Sequence, residues 1–353
     1  MALRAGPAIG LDIGTSAVRA AHVVATRGGR ALQRFGQVAL PPGAVDNGEI
    51  RDPGAVSEAI AQLWKRARFR SKRVVVGVAN QRVVVRQVDL PYLDEKELRS
   101  SLRYQISDHI PMPVDEAELD FQVIDDFENE DGERTMRLLL VAAARDMLDG
   151  FLSAASAGGV EPAGVDLTPF AVARAVSAAA RGDVGASGAE AIVDIGAGIT
   201  NIVVHVGGEA RFVRILLVGG NDATEALASE LDLQLDEAEA TKLDLAGAVG
   251  SREARAIVDD RVDELVGEVR GSLDYYLSQD DSEPIGGVVL TGGGSLTVGL
   301  EDRLRATLDL DVRRGRPLAE LDVRRSGLTD EQVAHVEPVA AAAVGLALGA
   351  TKR

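Results

Sequence analysis

The chain has 353 residues, a length that at about 150 residues per domain allows two domains or one split domain. Apolar residues at 46% and charged residues at 26% exclude a disordered chain, and aromatics at 3% leave a core of Ala, Val, Leu and Ile, suited to parallel sheets covered by helices. With 38 basic and 55 acidic residues the formal charge is −17, no basic stripe is expected to offset it, and the surface is expected to repel nucleic acid and anionic lipid; the lack of cysteine excludes disulfides, thiolate metal sites and thiol nucleophiles.

Ala8–Ile13 reads as an apolar strand around Asp12. Gly14–Ser16 supplies turn residues and Val18–Thr26 resumes the strand pattern, with a hairpin at Gly28-Gly29. Leu32–Leu40 is a further strand that ends at Pro41-Pro42. Apolar spacing at Val56, Ile60, Leu63 and Trp64 predicts a helix over Asp52–Arg68, and Val74–Ala79 is a buried strand. From Gln81 to Gly150 the character changes. A strand at Val83–Val88, a helix at Asp94–Asp108, the IPMPV break at Ile110–Val114, paired strands at Asp120–Asp126 and Met136–Ala144, and a helix at Arg145–Ala157 form a small αβ insert. Thr168–Ala180 is a helix, and Arg181–Gly188 is a Gly/Ser hinge candidate. Ala191–Val206 repeats the opening strand–turn–strand. Helices follow at Asp222–Leu231, Leu235–Lys242 and Ser251–Ser278, then a strand at Ile285–Leu290, TGGGSL with a helix to Leu308, and a last helix at Val339–Leu348. No apolar run reaches the length of a bilayer span, the N-terminal stretch has no apolar h-region of signal-peptide length, and the alanine-rich last helix is a poor interfacial anchor, so no direct membrane insertion is expected.

The repeat carries the chemistry. Asp12-Ile13-Gly14-Thr15-Ser16 and Asp194-Ile195-Gly196-Ala197-Gly198 lie 182 residues apart, one near the start of each half. A duplicated β-turn-β unit predicts two similar domains facing each other. Glycine-rich turns let backbone N–H groups approach phosphate oxygens, and Thr15, Ser16 and Thr200 add hydroxyls while Arg19 adds a cation. Two aspartates facing one polyphosphate repel it unless a divalent cation lies between. Magnesium, with its taste for carboxylate, water and phosphate oxygen, suits Asp12 and Asp194, through water. Gly292, Gly293 and Gly294, after an apolar strand, clear room for a flat base and aim a helix N-terminus. The four histidines are scattered, which argues against zinc, and no Ser-x-Gly elbow marks an acyl-transfer serine.

In this order, DIGTSAVR, DIGAGIT and LTGGGS resemble the two phosphate motifs and the adenosine motif of the actin/hexokinase/heat-shock-chaperone ATPase superfamily. More narrowly the chain resembles the PilM family of actin-like type IV pilus assembly proteins, relatives of FtsA, through GLDIGTSAVRAAHV, QISDHIPMPVDEAELDFQVID, GGNDATEALA, EAEATK and AAAAVGLALG. The resemblance implies an α/β actin-like fold: two duplicated ribonuclease-H-like domains around a nucleotide cleft, with a small αβ subdomain inserted in the first. It divides the chain into 1–80 and 151–188 as the first domain with its hinge, 81–150 as the insert, 189–335 as the second domain, and 336–353 as a helix returning to the first. It implies ATP or ADP with Mg²⁺ held by Asp12, Gly14, Thr15, Ser16 and Arg19 in the first loop and by Asp194, Gly196, Gly198 and Thr200 in the second. Gly219 and Gly220 then face the nucleotide, Glu239 and Lys242 contact ribose and base, and Gly292–Gly294 cradle adenosine.

One departure bears on catalysis. Where filament-forming bacterial actins carry a water-orienting glutamate before proline, this chain has Thr168-Pro169, a helix N-cap pattern and a poor base. Asp194 or Asp166 is left to substitute, and slow or negligible hydrolysis is expected. The resemblance further implies a bitopic PilN-like partner that captures the protein by its cytoplasmic N-terminal peptide in a groove between the first domain and the insert, with Glu95–Ile106 and the strand before it as one wall. Other inner-membrane and motor components of the pilus are further implied partners. The implied location is cytoplasmic, peripheral on the inner membrane through that partner. The alternatives are an active ATPase, an FtsA-like filament protein, or a small-molecule kinase of the same superfamily.

Overall fold

The computed structural model describes residues 9–177, 188–245 and 251–351. The hinge segment read at Arg181–Gly188 lies, apart from Gly188, outside the described residues. In the first half come β1 (Ile9–Ile13), β2 (Ala17–Thr26), β3 (Gly29–Ala39), a two-residue hairpin β4 (Val45–Asp46) and β5 (Glu49–Ile50), α1 (Pro53–Ala67), β6 (Arg73–Val78), β7 (Val83–Pro91), α2 (Glu95–Gln105), β8 (Ala117–Glu128), β9 (Arg134–Ala144), α3 (Arg145–Ala157), β10 (Glu161–Leu167) and α4 (Thr168–Val176). The second half holds β11 (Ala189–Ile195), β12 (Thr200–Val206), β13 (Glu209–Leu216), α5 (Gly220–Glu230), α6 (Leu235–Asp244), α7 (Arg252–Leu277), β14 (Ile285–Thr291), α8 (Leu300–Leu308), β15 (Val312–Arg314), β16 (Leu321–Asp322), α9 (Asp330–Val336) and α10 (Ala341–Thr351).

Two sheets have the same wiring. The first runs β10-β6-β1-β2-β3-β16 and the second β13-β12-β11-β14-β15. In each, a three-strand antiparallel meander is extended from its first strand by parallel partners, β6 and β10 in one, β14 and β15 in the other. The repeat in the sequence is thus a repeat in topology: two ribonuclease-H-like domains form an actin-like fold. Strands such as β6 and β11 are buried at almost every position because helices cover both faces.

α1 and α3 cover one face of the first sheet, and α5, α7 and α8 cover the outer face of the second. Between the sheets lie α4 and α10. Nearly every residue of α10 is buried, which accounts for its composition. A Cβ at Gly10 would lie 2.0 Å from the Ala343 carbonyl oxygen, and one at Gly345 would lie 1.7 Å from that of Ala171. Helix, strand and helix touch at backbone distance at these two positions, where only glycine fits. The Ala-rich segment is a core helix. No single helix among the described residues is long and apolar enough to cross a membrane.

Local chemistry sets the ends of α1: Asp52 accepts from the Ala55 N–H at 2.9 Å, Pro53 opens the helix, and Arg68 closes it in the left-handed region at φ 55°. β7, β8 and β9 with α2 form the inserted subdomain, a sheet of order β7-β9-β8 around Leu98, Leu102, Ile106, Met136, Leu138 and Leu140. α3 packs instead with α1 in the first-domain core through Met147, Leu148, Phe151, Ala154 and Ala155. We therefore place the end of the insert at Ala144, since a boundary at Gly150 cuts α3. Likewise β16 pairs with β3, and Leu318, Leu321 and Val336 sit in a first-domain cluster. The chain re-enters the first domain near residue 318, well before 336. The strands β13, β15 and β16 and the helix α9 are additions to the sequence reading; β15 and β16 are too short for a periodicity to register.

The insert leans on the second domain. Gln87 donates to the Arg211 carbonyl at 2.7 Å, Arg211 donates to the Ile124 carbonyl at 3.1 Å, and Arg137 of β9 bridges Asp89 and Asp281. β7, read above as part of a groove wall, is thus occupied by β13.

Candidate functional site

The duplicated turns have the same geometry. Gly14 N–H donates to the Ala17 carbonyl at 3.1 Å, and Gly196 N–H donates to the Ile199 carbonyl at 2.8 Å. Each turn follows an aspartate paired across the meander, Asp12 opposite Arg19 and Asp194 opposite Asn201. The turns meet head to head: a Cβ at Gly198 would come 3.0 Å from the Thr15 hydroxyl oxygen. They open into one cleft of about 950 Å³ lined from both domains.

Asp12, Gly14, Thr15, Ser16, Arg19, Asp194, Gly196, Gly220, Glu239, Lys242, Gly292, Gly293 and Gly294 all line that cleft. Gly198, Thr200 and Gly219 do not. Thr200 is fully buried, and its hydroxyl donates to the Val218 carbonyl at 2.8 Å. Gly198 is spent on the contact with Thr15. Gly219 is pressed on the second turn, where a Cβ would be 2.5 Å from the Ala197 carbonyl oxygen. These three shape the second turn from behind; sequence spacing does not distinguish backing from lining. Asn201, Thr224 and Leu296, absent from the sequence reading, line the cleft. Asn201 was discoverable by aligning the repeats, since it occupies the position of Arg19.

The electrostatics are unusual. Asp12 and Asp194 are desolvated by burial, which pushes both carboxyls above the ordinary range. Asp194 is held at about 6, with the Asp12 charge adding to the push and Asn201 and Arg19 opposing it. Asn201 donates to Asp194 at 3.0 Å, and Arg19 lies 3.7 Å from Asp12. Even so, Asn201 Oδ1 and Arg19 Nε are buried without a hydrogen-bond partner. Such orphaned polar atoms are costly, and they mark a place where a polar ligand completes the structure. No cluster of three or more His, Cys, Asp or Glu among the described residues forms a metal cage. A hard cation there would take its other ligands from water and phosphate, the usual arrangement for magnesium. The donor set fits Mg²⁺, with Asp12 and Asp194 as the carboxylates to hold it.

The Glu239–Lys242 pair is more than a surface i,i+3 contact. Lys242 Nζ, with its side chain 10% exposed, reaches Glu239 at 2.6 Å, the Thr224 hydroxyl at 2.7 Å and the Gly220 carbonyl at 2.9 Å. All three of its donors are used, and α6 is tied to the first turn of α5. That turn is in turn fixed to the second loop, since Gly220 and Asn221 N–H groups donate to the Gly196 and Ala197 carbonyls.

The triple glycine answers first to packing. Gly292 has φ +88°, and a Cβ there would lie 2.3 Å from the Ile195 carbonyl oxygen; at Gly294 a Cβ would lie 2.5 Å from Ile195 Cγ2. The segment Gly293–Leu296 is a 3₁₀ turn, and α8 starts only at Leu300. No helix N-terminus is therefore aimed from the glycines, contrary to the expectation from sequence. Thr168 lines the cleft, but Leu167 holds the cap position of α4 and Thr168 makes no side-chain cap. Asp166 pairs with Arg174 at 3.0 Å and does not line the cleft, which removes it as a water-orienting base.

A family profile described as Type IV pilus assembly protein PilM matches residues 10–351. Among solved structures, a "PilM-PilN type IV pilus biogenesis complex" superposes with a TM-score of 0.87 at 29% identity, covering 99% of this chain and 100% of that one. FtsA of Streptococcus pneumoniae serotype 2 (strain D39 / NCTC 7466) is 25% identical over 94% of this chain and 79% of its own length. FtsA of Neisseria meningitidis serogroup B (strain ATCC BAA-335 / MC58) is 32% identical over 43% of this chain, which spans only 41% of that relative. With the match running through both lobes and the insert, the chain belongs to the PilM family of type IV pilus assembly proteins.

Proposed function

We propose that this protein is an ATP- or ADP-binding scaffold of type IV pilus (or related secretion) assembly, in which the nucleotide is a conformational ligand with slow or negligible turnover. The observation that carries the reading is the meeting of the two duplicated turns at one cleft, with an aspartate from each domain, Asp194 buried and Asp12 partly so, beside unpartnered polar atoms. Mg²⁺ held by Asp12 and Asp194 would neutralise phosphate charge. Asp12 and Asp194 would be ionised in that state, and Asn201 and Arg19 are positioned to bond what enters. Slow turnover is supported by the cleft chemistry: Thr168 replaces a carboxylate, and of the two aspartates read as substitutes Asp166 is tied to Arg174, which leaves Asp194. A ligand bridging both lobes shifts the open–closed balance by its difference in affinity for the two forms.

We further infer a PilN-like bitopic membrane protein as partner, engaging through its cytoplasmic N-terminal peptide and making this a peripheral protein of the inner face of the cytoplasmic membrane. Support comes from the likeness to the PilM-PilN complex. With β7 covered, the open wall of the insert is α2 against β8, where Arg99, Leu102, Arg103, Leu119 and Phe121 line a groove of about 150 Å³. Equilibrium binding of a fluorescent ATP analogue, with magnesium and with chelator, tests the site. Asp12→Ala and Asp194→Ala are each expected to abolish magnesium-dependent binding, and unchanged affinity in both refutes it. Phosphate release is expected near background. Turnover stimulated by a small metabolite would instead point to a kinase.

A further inference from the structure

A run of cations after α1 contradicts the expectation that no basic stripe offsets the acidic charge. Lys65-Arg66-Ala67-Arg68-Phe69-Arg70-Ser71-Lys72-Arg73 follows the last turn of α1 into β6. Lys65, Arg66, Arg68, Arg70 and Lys72 are exposed, and none forms an ion pair with another described residue. Cations near a helix C-terminus complement its dipole, which accounts for Lys65 and Arg66 but not for Arg70 and Lys72, which lie beyond the helix. The segment is also built to hold its shape. The Trp64 and Phe69 rings pack at 5.0 Å between centroids, Trp64 Nε1 donates to the Ser71 carbonyl at 2.9 Å, and Arg68 takes the left-handed cap. Both aromatics are thereby turned inward while the five cations surround them.

We propose that this face is a docking surface for the anionic headgroups of a phospholipid bilayer, a second and direct membrane contact beside the partner peptide. It rests in part on the reading that a membrane partner brings the protein to the bilayer. A planar anionic surface asks only for charge density, which the five exposed cations supply. A single nucleic-acid strand asks for exposed aromatic faces on which to stack, whereas here Phe69 is buried and Trp64 packs against it. Glu161, whose N–H donates to the Lys72 carbonyl at 2.7 Å and which stands opposite Arg73 in the sheet, is an acid beside the patch and leaves the five exposed cations in excess; acids farther than about 10 Å are screened at ~0.1 M salt. The location also suits the function. Asp12 sits opposite Gly77 on β6, while Val74 pairs with Ile9, so Arg73 and the patch stand at the end of the first sheet away from the cleft. Lipid contact there leaves the nucleotide and the insert free.

Flotation of the purified full chain, without any partner, on phosphatidylcholine vesicles with and without about one third phosphatidylglycerol tests this. Binding to the anionic vesicles alone, weakening steeply with salt, is expected. At about fivefold per cation, Lys65→Gln with Lys72→Gln is expected to weaken binding roughly 25-fold, and Arg66→Glu with Arg70→Glu more. Unchanged nucleotide binding shows that each variant is folded. Equal binding to neutral vesicles overturns the proposal, as does undiminished binding of the variants. Tighter binding to duplex DNA at the same salt overturns it in favour of nucleic acid. Salt-sensitive self-association without vesicles, basic face against the acidic stretch Asp115–Glu133 of a second copy, overturns it too. Capture of the PilN-like peptide by the same variants reports separately on the partner reading.

Discussion

Asp194→Asn is expected to stabilise the free protein while destroying its ligand site. Asp194 is 9% exposed and holds its proton to about pH 6 instead of the ordinary 3.8. The folded chain therefore binds more protons than the unfolded chain between those values, and stability falls as pH rises through that window. Ionising the buried group costs the folded state about 3 kcal/mol by pH 7. Asparagine keeps the bond from Asn201, through its own carbonyl oxygen, without the charge. Below about pH 4 wild type and variant are expected to be nearly equal. The advantage of the variant should then grow through the window and level off above it at about 3 kcal/mol. Urea unfolding at several pH values, followed by circular dichroism, measures this directly, and nucleotide binding is followed in parallel. A variant no more stable than wild type at pH 7.5, or an advantage that does not change with pH, refutes the claim that the cleft holds a strained carboxylate. Magnesium with ATP should narrow the gap, because it stabilises only the chain that retains the carboxylate.

Three further outcomes follow from contacts described above. Thr200→Val is expected to cost about 1 kcal/mol through the lost bond to Val218 while leaving nucleotide affinity unchanged in a titration; a large loss of affinity would return Thr200 to the phosphate loop. Lys242→Met should weaken nucleotide binding by about tenfold with little change in circular dichroism, since it frees α6 from α5 at the cleft wall. Gly345→Val should destabilise both lobes by about 3 kcal/mol or more, because α10 must move off α4; a melting profile like wild type would deny the close packing there.

The sequence by itself determined the two DIG turns with the strands that flank them, the helix over Asp52–Arg68 and the strand and helix pattern of the insert. Each rests on local rules: period-two and helical spacing, and glycine where the chain bends. It also determined the family, because motif order survives where single motifs are degenerate. Tertiary structure alone decided which small residues face the cleft. Gly198, Gly219 and Thr200 carry the same local signature as Gly14 and Thr15, yet they back the second turn, since direction toward a ligand is fixed by the opposite domain. The same holds for Lys242, whose partners Gly220 and Thr224 lie on another helix, and for β16, which joins a sheet whose other strands come from the first half of the chain. The pressure on Asp194 is of this kind as well: burial is a property of everything packed around a carboxyl, and no neighbour in sequence records it.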